Sequence, residues 1–133
     1  MSNKSMVRHL PTVGRLLLGL PMLAFGLMGL LHPLQAPPTL PAGAQAFSHA
    51  LEATGYMMPM IAITQIVAGL MLAANRFVPL ALTLLAPFFV NSVLFHLFLE
   101  PSGLPPALVF TALNIALAWA HRDAFRGVLS AKG

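Results

Sequence analysis

Charge falls on this chain in only a few places. The Lys, Arg, Asp and Glu residues are Lys4, Arg8, Arg15, Glu52, Arg76, Glu100, Arg122, Asp123, Arg126 and Lys132. Between them lie uncharged stretches over 16–51, 53–75, 77–99 and 101–121. Each is long enough for the roughly 20 helical residues that cross a hydrocarbon core about 30 Å thick. A water-soluble domain interleaves charge to keep its surface wet, and soluble proteins carry about 25% charged residues. Here charged residues make up 8% and hydrophobic residues 58%, so the solvent of this chain is lipid.

The spans are predicted at 13–31, 56–74, 77–99 and 104–120, with an outer loop over 32–55, in one domain covering 1–133. At 1.5 Å per residue they measure roughly 25–35 Å. Helices are required because lipid offers no partner to free backbone groups, and the segments lack the alternating pattern of a membrane barrel. The first span follows Lys4 and Arg8 as a signal peptide would. Its apolar part continues to Leu31, longer than a usual signal core, so it is expected to be retained.

The basic residues orient the bundle. Lys4, Arg8 and Arg15 precede or enter the first span, Arg76 lies between the second and third, and Arg122, Arg126 and Lys132 follow the fourth. Four crossings put all of them on one side and leave Glu52 and Glu100 on the other. The positive-inside rule then places both termini in the cytoplasm, and Tyr56 and Trp119 fall at opposite interfaces where amphipathic rings settle. The expected fold is an all-α integral membrane four-helix bundle, N-in/C-in. Basic residues spread over three places make no continuous face for nucleic acid; they suit anionic lipid headgroups.

The second and third spans are joined by 75–76 and the third and fourth by 100–103, so both pairs are tight antiparallel hairpins. Within the longer outer loop, proline-rich 33–41 is expected to be extended. The segment 44–53 carries Phe47, Ala50 and Leu51 at helical spacing. It predicts a short amphipathic surface helix between spans one and two, ended by Gly55.

Small residues at helical spacing mark candidate packing seams: Gly19 and Gly26 in span one, Gly69 and Ala73 in span two, and Ala112, Ala116 and Ala120 in span four. A homodimer face is the competing reading. Pro21 and Pro87 should kink their spans, and Pro87 leaves the Thr83 carbonyl without its helical partner, expected to face inward.

Gln65, Asn91 and Asn114 lie at matched depth, roughly 12–15 Å from the outer ends of three spans. They are expected to converge, either as interhelical hydrogen bonds worth about 0.6 kcal/mol each or as a pocket for a carbonyl-bearing ligand such as a quinone. Ser92, His96 and Glu100 recur every four residues and form one stripe rising to the outer surface. There, Glu100 could hold the His96 imidazole or take its proton. His32, His49 and Glu52 complete an outer-face polar cluster. No recognised metal-ligand spacing occurs, and a haem bundle's deep histidine is missing. Met57, Met58, Met60 and Met71 read as core filler. The lack of cysteine removes thiol, Fe–S and covalent-haem chemistry from this chain.

The chain resembles the DoxX-like family of small four-helix bacterial membrane proteins over about 13–128. The likeness rests on Arg15-Leu16-Leu17-Leu18-Gly19 with Phe25-Gly26, on Ala68-Gly69-Leu70, and on Asn75-Arg76-Phe77-Val78-Pro79-Leu80-Ala81. Its most specific run is Ala86-Pro87-Phe88-Phe89-Val90-Asn91 followed by Phe95-His96-Leu97-Phe98. Pro101-Ser102-Gly103-Leu104 and Arg122-Asp123-Ala124-Phe125 complete it. The resemblance implies a protein of the bacterial inner membrane with both termini inside. It also implies a link to membrane redox or oxidative-stress complexes, the family name coming from a thiosulfate:quinone oxidoreductase subunit. Asn91 and His96 match polar positions of the family pattern. The chain departs from it at Gln65, where many relatives carry Glu, and at Met28-Gly29, where many carry polar or basic residues. A neutral amide takes no proton, which argues against proton-coupled chemistry through span two; with no cysteine, redox work would need a bound quinone or a partner subunit.

The leading expectation is an accessory or quinone-interacting subunit of a membrane redox system. Its pocket would be lined by Gln65, Asn91 and Asn114, and His96 backed by Glu100 would exchange the proton. The alternatives are a non-enzymatic membrane scaffold that presents its outer loop to a partner, and a small permease. No residue is assigned as catalytic and none to a metal.

Overall fold

The computed structural model describes residues 3–32 and 37–133. Its helices are α1 (Asn3–Leu31), α2 (Ala42–Ala53), α3 (Met57–Ala74), α4 (Val78–Phe98) and α5 (Leu104–Ala120), with 3-10 turns at Pro101–Gly103 and Arg122–Phe125. Four stretches, Arg8–Leu31, Met57–Ala74, Val78–Phe98 and Pro101–Ala120, are long and apolar enough to cross a membrane. The chain is thus all-helical and built as a multi-pass membrane protein. The helix carrying span one begins ten residues before the predicted apolar edge and runs through Pro11 and Pro21. Hydropathy marks where the lipid-soluble part starts, which need not be where the helix starts.

Helix α1 packs against α3 and α5, and α4 against α3 and α5, so the four long helices form a closed ring. The α1–α3 seam is closest. A Cβ at Gly19 would fall 2.8 Å from Leu72 Cβ, one at Gly26 would fall 2.7 Å from the Ala62 carbonyl oxygen, and one at Gly69 would fall 2.7 Å from the Leu23 nitrogen. Only hydrogen fits at these crossings, and close backbone approach is what holds helices together in lipid. Leu18, Leu72, Leu82 and Leu85 fill the centre and are fully buried.

The alanine seam expected on the fourth span does not form. Ala112, Ala116 and Ala120 are exposed, and α5 turns Ala107, Asn114 and Leu117 inward. In lipid both faces of a helix are apolar, so a row of small residues does not by itself tell the inner face from the outer. The same ambiguity affects Pro87: it and Thr83 lie on the exposed face, so the freed Thr83 carbonyl opens outward rather than into the bundle.

The α3–α4 hairpin closes through two left-handed residues, Asn75 (φ 56°) and Phe77 (φ 53°). The Arg76 N–H donates to the Met71 carbonyl at 2.9 Å, satisfying the helix end. The Arg15 guanidinium crosses from α1 to the same place, donating from Nη1 to the carbonyls of Leu72 at 2.7 Å and Ala73 at 3.2 Å. A cation there answers both the unpaired carbonyls and the negative end of the α3 dipole. This contact, with Gly14 beside Leu117, sets the first half of α1 against the last turns of α3 and α5. Arg15, Arg76 and Arg122 therefore gather at one end of the bundle, the arginine end, and α2 lies at the other.

Of the predicted extension over 33–41, residues 33–36 lie outside the described residues. Residues 37–40 instead form a turn, the Leu40 N–H donating to the Pro37 carbonyl at 3.0 Å. Gln45 Nε2 holds this turn by donating to the carbonyls of Pro38 at 2.9 Å and Leu40 at 2.8 Å. Helix α2 starts at Ala42, buries Ala44, and rests Phe47 on Phe95 of α4 with ring centroids 5.3 Å apart. Gly55 (φ 76°) lies just beyond its end.

Candidate functional site

A pocket of about 280 Å³ lies between the long helices near the α2 end. Met22 and Phe25 reach it from α1, Gln65 from α3, and Phe88, Phe89, Ser92 and His96 from α4. Gly103, Pro106, Ala107 and Phe110 close it from the turn and α5. Phe25 and Phe110 meet edge to face at 6.5 Å. Phe25 and Pro106 are also exposed on the bundle's flank, so the pocket reaches the lateral surface.

Its walls are aromatic and aliphatic, with polar groups from Gln65, Ser92 and His96. Gln65 is 8% exposed. Its Nε2 reaches Met22 Sδ at 3.9 Å, a weak acceptor, and its carbonyl oxygen bonds no protein group among the described residues. That oxygen is not sealed off: Gln65 lines the cavity, where its amide is open to a ligand's hydrogen-bonding groups.

His96 is built more tightly. Its Nδ1 stands 2.9 Å from Glu100 Oε2 and 3.1 Å from the Glu100 carbonyl oxygen. A carbonyl oxygen only accepts, so Nδ1 carries the hydrogen and Nε2 is the nitrogen left for other partners. Glu100 is held in turn by the Gly103 N–H at 3.2 Å and by the Ser102 hydroxyl. Gly103 packs under the imidazole so closely that a Cβ there would overlap the ring and lie 2.7 Å from Glu100 Oε2. Phe95 meets the ring edge-on at 5.1 Å and is itself braced by Phe47 of α2.

The structure brings together Gln65, Ser92, His96 and Glu100 and leaves the remaining candidates apart. Asn91 is exposed on the outer face of α4 and does not converge with the other amides. Matched depth says nothing about rotation: at about 100° per residue, position 91 lies far around the helix from the Phe89, Ser92 and His96 face. Asn114 is buried but stays outside the pocket, donating from Nδ2 to the Leu82 carbonyl at 3.4 Å, with Oδ1 unpartnered. His32, His49 and Glu52 are exposed, and among the described residues no group of three His, Asp or Glu stands close enough to hold a metal. Phe25 and Phe88 belong to the runs that carry the resemblance, but the sequence does not mark them, or Phe110, as lining a pocket. Phe88 sits four residues before Ser92, a helical neighbour that could have pointed to it.

No protein-family model, curated protein or solved structure matches this chain. Geometry therefore carries the functional reading.

Proposed function

We propose that this chain is a bacterial inner-membrane protein of the DoxX-like kind. It binds a quinone-class ligand in the lateral pocket, as an accessory subunit of a membrane redox system. The observation that carries this reading is the meeting of a buried, under-bonded Gln65 with a carboxylate-backed His96 in an otherwise aromatic cavity. An aromatic headgroup with oxygens at its edge matches both features: ring faces against Phe25, Phe88 and Phe110, oxygens toward Gln65 and His96. Ligand sites of this kind are mostly apolar with a few placed polar groups. The pocket's lateral opening would let an isoprenoid tail remain in lipid.

In this reading the chain supplies the binding site and the base that accepts the proton. His96 Nε2 takes a hydroxyl proton from the reduced ligand, and Glu100 steadies the imidazolium that forms. The electrons belong to a redox centre in a partner subunit. The clustering of arginines at one end favours cytoplasmic termini, and α2 would then lie on the outer membrane surface with Phe47 turned toward the bundle.

Titrating the purified chain in lipid nanodiscs with a short-tailed quinone tests the reading. Saturable binding is expected, weakened about tenfold or more in His96→Phe. A wild-type chain that takes up quinone only in proportion to the lipid present would contradict it.

A further inference from the structure

A second cleft, of about 320 Å³, lies at the arginine end, lined by Ile115, Ala118, Trp119, Arg122, Phe125 and Leu129. It is separate from the pocket above, which no residue of this set lines. Ile115, Ala118 and Trp119 lie at i, i+3 and i+4 and share one face of α5, and Arg122 follows in the 3-10 turn just past its end. After α5 the chain turns back: the Ala124 N–H donates to the His121 carbonyl and the Leu129 N–H to the Phe125 carbonyl, each at 2.9 Å. That turn supplies the opposite wall, Phe125 and Leu129.

Arg122 stands at the polar mouth. Its guanidinium lies 5.1 Å from the Trp119 ring centroid and donates from Nη1 to the Trp119 carbonyl at 3.1 Å. A guanidinium has five N–H donors, and the rest find no protein acceptor among the described residues. The neighbouring acid, Asp123, is taken up by Arg126 at 3.0 Å, so it does not answer Arg122.

We propose that this cleft holds one anionic phospholipid, its acyl chain along Ile115 and Trp119 and its phosphate on Arg122. One wall runs inward along a membrane span, so the occupant comes from the lipid phase, and the exposed guanidinium favours one that carries an anion at the interface. A phospholipid meets both conditions, whereas a free phosphate would leave the apolar walls uncovered.

Trp119 is the one tryptophan in the chain, so its fluorescence reports on this cleft alone. The full chain is reconstituted in equimolar phosphatidylglycerol and phosphatidylcholine, with dibrominated acyl chains on one lipid or the other. Bromine quenches an indole that it touches. Brominated phosphatidylglycerol is expected to quench as though enriched about fivefold at the site, the ratio that about 1 kcal/mol per basic group gives. Arg122→Gln should bring the two lipids level, while Arg126→Gln should keep the preference. Comparing both lipids within each variant cancels any change in intrinsic emission. Equal quenching in the wild type, or an undiminished preference in Arg122→Gln, would overturn the assignment.

Discussion

The His96 imidazole is fixed by Glu100 from two directions, the side-chain oxygen at 2.9 Å and the main-chain oxygen at 3.1 Å, both on Nδ1. The ring cannot turn without losing both. Its Nε2 is therefore the nitrogen available to a ligand, and Glu100 acts by positioning it. Glu100→Leu should weaken quinone binding about ten- to a hundredfold, the scale of a hydrogen bond to a charged group, about 1.5–3 kcal/mol. Glu100→Gln, which still presents an oxygen to Nδ1, should retain most of the affinity. Nitrogen-15 spectra of the labelled imidazole in lipid check the cause: the hydrogen sits on Nδ1 in the wild type and in Glu100→Gln, and the Nδ1–H population falls in Glu100→Leu, where the main-chain oxygen is the one Glu100 acceptor left.

Gly103 is the floor beneath that ring. Alanine there would place a methyl group in the space of the imidazole, and the turn from Pro101 to Gly103 is too short to yield. Gly103→Ala should lose ligand binding nearly as fully as His96→Phe while leaving the helices folded, judged by circular dichroism. Gly127→Ala, where a Cβ meets open space, should bind as the wild type does. Equal affinity in all four chains would remove His96 from the site.

Gln65 separates ligand recognition from stability. Its amide makes one weak protein contact and faces the cavity, so the ligand-free fold draws little from it. Gln65→Met keeps the volume and removes the unmet polar groups. The variant should stay within about 0.5 kcal/mol of the wild type against unfolding in detergent and should bind quinone at least fivefold more weakly. A loss of stability would mean that the amide serves packing instead.

The α1–α3 crossing makes a plainer claim. At Gly69 an added Cβ meets backbone, the Leu23 nitrogen at 2.7 Å and the Gly19 carbonyl oxygen at 2.8 Å. Gly69→Ala must push two helices apart and should cost about 1–3 kcal/mol. At Gly14 the nearest atom is a Leu117 side-chain carbon at 3.5 Å, ordinary contact, so Gly14→Ala should be within about 0.5 kcal/mol of the wild type. Thermal melts of both variants in one detergent give the comparison.

What the sequence made legible follows from what lipid constrains. Charge cannot enter the hydrocarbon, so Arg76 and Glu100 mark hairpins and the four spans could be read directly. Glycine at a crossing was legible too, because Gly19, Gly26 and Gly69 serve packing wherever backbones meet. Rotation was not. A soluble helix shows its inner face by the polar face opposite, but lipid makes the outside of Ala112, Ala116 and Ala120 as apolar as the inside. Asn91 was misplaced for the same reason, since depth was the only coordinate its position revealed. Ser92 and His96 share a face because spacing along one helix carries rotation with it, whereas Glu100 lies past the end of α4 in extended backbone and meets His96 through the turn. Gly103 lay beyond the end of α4, where helical spacing no longer says what touches His96.

The pocket itself is tested most directly by a photoreactive azidoquinone mapped on the full chain in nanodiscs. The adducts should fall on pocket residues, Phe88, Ser92 and Phe110 among them. Excess unlabelled quinone should suppress them, and His96→Phe combined with Gln65→Met should lose them. Adducts scattered over the outward side chains of α4, such as Val90, Leu94 and Leu97, and untouched by competitor would show that quinone meets this protein only as it meets any apolar surface.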